Sequence, residues 1–249
     1  LFETVTEKEI PNLALLTDGA KEVFQNGGGI PFSINSIAIV YDKEKLGREI
    51  KDWSDLWSED LKGKIAIPDI TTTGGPLFLS VAADKGGKAL KDDKGEAAFK
   101  ALEELKPNIV KTYSKSSDLA NMFQAGEVTV AVVVDFAIPT VKKANSNVVS
   151  VVPESGTYAN YNTVNIVKNA KNKENAYKYV NFRIGTENQT VKAKSLSEAP
   201  VNKDVKLADN EVKTMTYGDV AKRAKTVDFK LVNENLKAWI DQWNKILNQ

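Results

Sequence analysis

The chain has 249 residues, with 34 basic and 33 acidic side chains and a formal net charge of +1. Apolar residues make up 42% and charged residues 27%, an ordinary globular composition without the polybasic or polyacidic field that points to nucleic acid or a membrane surface. It has no cysteine and no histidine, which excludes disulfides, thiolate nucleophiles, Cys/His zinc sites and every Ser-His or Cys-His catalytic arrangement.

No apolar run is long enough to span a bilayer, and no signal peptide is visible. The start at Leu1-Phe2-Glu3 reads as a processed, truncated or partly disordered beginning. Pro11-Asn12 and Gly27-Gly28-Gly29 mark a loop-like first segment leading to Pro31. The unbroken apolar run within Ser36–Tyr41 then predicts a strand buried on both faces. Ser54 is placed to cap a short helix carrying Trp57, ending near Gly63. Lys64–Ile67 predicts a second strand. After Pro68-Asp69-Ile70 and a Thr71-Thr72-Thr73-Gly74-Gly75 loop, a helix is expected over Leu77–Ala83, with Pro76 at its first position and Gly86-Gly87 as its stop.

From Glu96, residues Ala98, Phe99, Leu102 and Leu105 form one helix face, closed by Pro107. Ser116 or Ser117 is placed to cap the next helix, with Leu119, Met122 and Phe123 inward and Gly126 at its end. Val128–Val134, Val148–Val152 and Thr163–Val167 predict three more strands. Ala176, Tyr177, Val180 and Ile184 share a helical stripe. Thr186 and Gln189 have capping-box spacing for the following helix. The last helix is expected from about Asn233, with Leu236, Trp239, Ile240, Trp243, Ile246 and Leu247 on one face. Strands alternating with helices, several of them apolar throughout, predict an α/β protein with helix-covered, largely parallel sheets.

The run from Trp53-Ser54-Asp55-Leu56-Trp57 through Lys62-Gly63-Lys64-Ile65-Ala66-Ile67-Pro68-Asp69 resembles the spermidine/putrescine- and iron-type periplasmic binding proteins of bacterial ABC importers. Ile30-Pro31-Phe32 leading into Ala38-Ile39-Val40-Tyr41, Gly126-Glu127-Val128, Ala170–Ala176 and Ser197-Glu198-Ala199-Pro200-Val201-Asn202-Lys203 agree with it in the family's order. The resemblance implies a two-lobed periplasmic binding protein-like fold (type II). Two strand crossovers, near Tyr41 and Tyr161, would join lobes that close over a ligand cleft. Lobe one is expected over 1–41 plus 162–203, incomplete at its beginning, and lobe two over 42–159 plus 204–249. The implied partners are a small-molecule solute and the permease subunits of an ABC transporter, with no nucleic acid. The implied protein is a monomer in the periplasm or outside the cell, anchored as a lipoprotein if the source is Gram-positive.

Ligands of α/β sheets sit beyond the carboxyl ends of strands, which selects candidate binding residues independently. Thr71, Thr72, Thr73, Gly74 and Gly75 combine hydroxyls and backbone N–H groups with a helix start, a combination that suits an oxyanion; capping by Thr73 is the bland alternative. No Gly-Lys-Ser/Thr follows, so the loop is not a P-loop. Ser117 is a weaker case of the same kind. Asp135 and Phe136 end the valine strand, where an acid faces the cleft or caps a turn. Ser33, Asn35 and Ser36 precede the first strand at positions where the family carries ligand contacts. Tyr158, Asn160, Tyr161 and Asn162 fall where polyamine binders place an aromatic plate and a ligating carboxylate, yet Asn160 and Asn162 replace both.

Hydroxyls and amides with one acid favour a small polar or anionic solute over a polyamine. A ferric site at Tyr158 and Tyr161 would need a carboxylate or histidine beside them. No nucleophile–base pair presents itself, so no enzyme, catalytic residue, metal or cofactor is expected. Polyamine binding and a sensory ligand-binding domain of a larger protein are the alternatives.

Overall fold

A computed structural model describes residues 1–212 and 214–247. In chain order its main elements are α1 (Asp18–Gln25), β1 (Ile30–Asp42), β2 (Ile65–Pro68), α2 (Gly74–Gly86), α3 (Glu96–Leu105), β3 (Ile109–Tyr113), α4 (Ser116–Gln124), β4 (Val130–Val134), α5 (Ile138–Ala144), β5 (Val148–Val151), β6 (Thr157–Val164), α6 (Lys173–Arg183), α7 (Thr186–Leu196), β7 (Ala224–Thr226) and α8 (Phe229–Leu247). The chain divides into two compact units. Unit one comprises Leu1–Asn35 and Tyr161–Gly218, and unit two Ser36–Asn160 and Asp219–Gln249. Two of the passages between them lie inside β1 and β6.

Unit two explains why β2, β4 and the 37–41 run of β1 are apolar at every position. Along β1, Ile37, Ile39 and Tyr41 enter one core while Ala38 and Val40 enter another. Val130, Val132 and Val134 of β4 alternate with Ala131 and Val133 in the same way, as do Ile65 and Ile67 of β2 with Ala66. Side chains of a strand point alternately to its two faces, so a strand covered on both sides has no polar register. One face is covered by α2, α3 and α8, the other by α4 and α5. The long aromatic stripe of α8 lies on the first, with Trp239 and Trp243 buried. Each buried side chain of that size contributes roughly 1.5–3 kcal/mol.

The fold class is α/β, as the alternation of elements predicts, but the sheet is mixed. The strand order is β3-β2-β4-β1-β6-β7, with β5 also pairing with β1. β2 runs parallel to β3 and β4, and β6 to β7, whereas β1 is antiparallel to β4 and β5. Apolar continuity reports burial on both faces and is blind to strand direction, which is why it pointed to a largely parallel sheet.

Several local expectations change. β1 starts at Ile30 rather than Ser36, α8 at Phe229 rather than Asn233, and the strand expected over Thr163–Val167 lies over Thr157–Val164. Asp52, not Ser54, caps the 3-10 turn Trp53–Trp57 through a reciprocal box with Asp55. Neither Ser116 nor Ser117 caps α4; both are inside its first turn, and Lys115 stands at the N-cap.

In unit one, Gly185 occupies the N-cap of α7, so Thr186 and Gln189 make no capping box. Gln189 is buried instead. Its Nε2 donates to the carbonyls of Phe32 at 2.6 Å and Arg183 at 3.1 Å, and its Oε1 accepts from the Val201 amide at 2.8 Å. A buried amide with both ends matched ties three chain segments together without leaving an orphan. The 199–202 stretch is held further by bridges of Ala199 to Ile34 and Asn202 to Leu16.

Candidate functional site

Parallel strands β2, β3 and β4 all end at one edge of the unit-two sheet, and each end opens into a loop that starts a helix. β2 leads through 69–73 to α2, β3 through 114–115 to α4, and β4 through Asp135–Ala137 to α5. Pairing in register brings Pro68 level with Tyr113, and the β2–β4 pair runs in the same direction. Because β1 is antiparallel and pairs Ile37 with Val134, its beginning arrives at that same edge. Thr71–Gly75, Ser117, Asp135, Phe136 and Ser36 are therefore assembled along one sheet edge. Thr157 of β6, whose hydroxyl donates to the Ile37 carbonyl at 2.6 Å, stands at that level, and Asn160 follows three residues on along the same strand.

The threonine-glycine loop is built around its own acid. Asp69 Oδ1 accepts from the Thr71 amide at 2.9 Å and from the Thr71 hydroxyl. The Asp69 carbonyl accepts from the Thr72 hydroxyl at 2.7 Å and the Thr72 amide at 2.9 Å. The hydroxyls of Thr71 and Thr72 are thus engaged inside the loop. Thr73 is exposed, has helical backbone angles, and makes no side-chain cap, so the capping alternative fails. α2 begins at Gly74, which places Pro76 at its third position rather than its first.

The two glycines serve packing. A Cβ at Gly74 would come within 3.0–3.1 Å of the Pro68 side chain and 3.1 Å of Val134, and one at Gly75 within 2.4 Å of both the Asp69 carbonyl oxygen and the Ile70 Cα. Residues without a Cβ let the helix start approach two strand ends. Asp69 itself was missed as a site residue; an Asp two positions before a Thr, directly after a strand, was the available signal, since it predicts an Asx turn.

Asp135 is buried at 3% exposure and its Oδ1 accepts the Phe136 amide at 2.8 Å, while the Phe136 ring is half exposed. A buried acid beside an exposed aromatic is the combination expected where a polar ligand meets a sheet edge.

Ser33, Asn35 and Asn162 form a compact group in unit one. The Asn162 amide nitrogen donates to Ser33 Oγ at 2.8 Å and to Asn35 Oδ1 at 2.6 Å. Tyr161 stands over Gly19 of α1, where a Cβ would meet its hydroxyl at 2.4 Å. Burial raises the Tyr161 phenol above its ordinary range, and the nearby Glu22 adds to the shift.

Tyr158 is not brought to the edge. Its hydroxyl donates to Asp84 Oδ1 at 2.9 Å, near the far end of α2, and Lys225 pairs with the same carboxylate at 3.2 Å. At about 1.5 Å rise per residue, Asp84 lies roughly 16 Å along the helix from Thr73. Tyr158 thus has the carboxylate neighbour that a ferric site would need, but that carboxylate is shared with a lysine. Among the described residues, no group of three or more His, Cys, Asp or Glu side chains converges as a metal site. Among them, too, no helix is long and apolar enough to cross a membrane.

A crystal structure of an ABC transporter from Clostridium perfringens is similar to this chain at 52% identity and a TM-score of 0.91, covering 99% of this chain and 78% of that one. The spermidine/putrescine-binding periplasmic protein of Escherichia coli is 28% identical over 159 residues, 63% of this chain and 44% of that protein. The gamma-aminobutyric acid-binding protein of Pseudomonas aeruginosa is 27% identical over 180 residues, 70% of this chain and 50% of that protein. The chain thus matches about half the length or less of these two curated relatives. The bacterial extracellular solute-binding protein family matches residues 1–217, and the chain belongs to that family.

Proposed function

We propose that this protein binds a small polar solute at the carboxyl edge of the unit-two sheet and delivers it to the permease subunits of an ABC importer, acting as a carrier and not as an enzyme. The observation that carries this reading is the convergence of the β2, β3 and β4 loops and the start of β1 on one edge. Ligands of α/β sheets collect there because helix starts and loop polar groups face the same space. The two units correspond to the two lobes of the proposed carrier. It works as a monomer in the periplasm or outside the cell, held by a lipid anchor if the source is Gram-positive.

The edge has mixed polarity. Asp69 and Asp135 are acids, while Thr73 offers a hydroxyl and the start of α2 offers backbone N–H groups. A zwitterion with an ammonium and a carboxylate or phosphonate group matches both halves, since each charge needs an opposite partner once desolvated. The similarity to a gamma-aminobutyric acid binder supports this class. The second reading is a polyamine. It is favoured by the similarity to a spermidine/putrescine binder and by the second edge acid, Asp69.

Native mass spectrometry of the purified protein identifies a co-purified solute, and calorimetry with γ-aminobutyrate, 2-aminoethylphosphonate, succinate and spermidine ranks the classes. Tightest binding by a zwitterion supports the first reading. Sub-micromolar spermidine binding beside silence from the others replaces it with the second.

A further inference from the structure

A cavity of about 310 Å³ opens in unit two away from this edge, walled by Trp53, Trp57, Val81, Lys85, Tyr158 and Lys225. That volume is at the small end of the range for small-molecule sites. Val81, Asp84 and Lys85 lie toward the end of α2 opposite Thr73, so the cavity shares no wall with the edge described above.

Its polar groups are almost all matched. The Trp53 indole donates to the Gly156 carbonyl and the Trp57 indole to the Ala101 carbonyl, each at 2.8 Å. With their N–H groups engaged, both rings can offer only apolar surface. Asp52 accepts from the Ser155 hydroxyl on one oxygen and from Ser54 on the other. Asp84 is shared between the Tyr158 hydroxyl and Lys225. Lys85 differs: it lies 5.6 Å from the Trp57 ring centre, and among the described residues it makes no ion pair. Two charges of the cavity lack an opposite partner, Asp52 and Lys85; the Asp52 oxygens are taken by hydroxyl and amide donors, whereas the Lys85 ammonium has, among the described residues, only its ring contact beside flat aromatic walls.

We infer that this cavity is a second binding site, for a small organic monoanion with an aromatic or apolar body, with the anionic group on Lys85 and the body against Trp57 and Tyr158. Lys85 would then exchange a ring contact for a charge-assisted hydrogen bond, the stronger of the two.

The probe is 3-phenylpropionate, followed by calorimetry and by tryptophan fluorescence. Saturable one-to-one binding is expected. Affinity should fall roughly tenfold or more in Lys85→Gln and for the neutral probe 3-phenylpropanamide, since a lost charge-assisted bond is worth that factor. Lys85→Arg should retain it, and Thr73→Ala should leave it unchanged. Lys85 is exposed, so its replacements keep the fold, which thermal melts verify. No saturable binding, equal affinity in Lys85→Gln, or loss in Thr73→Ala would overturn the assignment. Loss in Thr73→Ala would place the probe at the edge; the other outcomes do not bear on solute binding there.

Discussion

A Cβ on Gly75 would stand 2.4 Å from the carbonyl oxygen of Asp69, closer than any side chain can approach backbone. Gly75→Ala is therefore expected to lower stability by about 1–3 kcal/mol through overpacking, read as a drop in the urea midpoint with an unchanged slope. An acid at Gly75 would report the same collision and not charge repulsion with a bound anion. Unchanged stability in Gly75→Ala would show that the 69–75 turn shifts to admit a methyl group.

Thr73 is the cleaner probe of the edge. It makes no cap, so Thr73→Ala should change stability by less than about 0.5 kcal/mol. If a zwitterion binds, Thr73→Ala and Asp135→Asn should each weaken it by about 1–3 kcal/mol. A simple anion would bind more tightly to Asp135→Asn, and a polyamine would ignore Thr73→Ala. Calorimetry on the two variants separates the three solute classes, with thermal melts controlling for damage around Asp135.

Gln189→Ala removes the partner of two carbonyls and one amide at a buried position. The expected loss is about 3 kcal/mol, since orphaned buried groups keep their full desolvation cost. Urea unfolding measures it. A loss under about 1 kcal/mol would show that water replaces the side chain.

Asp52 carries an acid-dependent contribution. Burial pushes its carboxyl up, but hydrogen bonds from Ser155, Ser54 and the Trp53 amide outweigh burial and hold it below its usual 3.8. A depressed folded-state pKa stabilises the fold above the unfolded value and loses that contribution as pH falls through the folded one. The difference in urea midpoint between parent and Asp52→Asn should be full near neutrality and shrink as pH falls below about 4. A difference independent of pH would place the effect in packing.

At alkaline pH, burial holds the phenols of Tyr113 and Tyr158 protonated well above their usual 10, with the Asp84 carboxylate adding to the shift at Tyr158. A raised folded-state pKa favours the fold below the unfolded value and disfavours it above. Part of the tyrosinate absorbance should therefore appear only as far-UV circular dichroism reports unfolding. Complete titration of all tyrosines in the folded protein would contradict the burial of these two.

Periodicity and end signals in the sequence determined the element types, the apolar faces and the family resemblance. The valine strand, α3 and the tryptophan stripe of α8 are legible because burial on known faces dictates which side chains recur. The rule that ligands gather beyond strand ends also selected the 71–75 loop and Asp135 without coordinates.

The folded loop decided which hydroxyls remain available. Hydrogen bonds inside 69–72 engage Thr71 and Thr72, and Asp69 emerges as an edge acid because its turn closes on the threonines. Tertiary pairing likewise turned Tyr158 toward Asp84 and made Gln189 a buried tie instead of a cap. Strand direction had no trace in composition, since a strand between two helical layers is equally apolar whichever way it runs. The identity of a polar side chain states what it can bond to, and the partner is chosen by residues distant in the chain: Ser33 and Asn35 meet Asn162 only because β1 and β6 lie side by side.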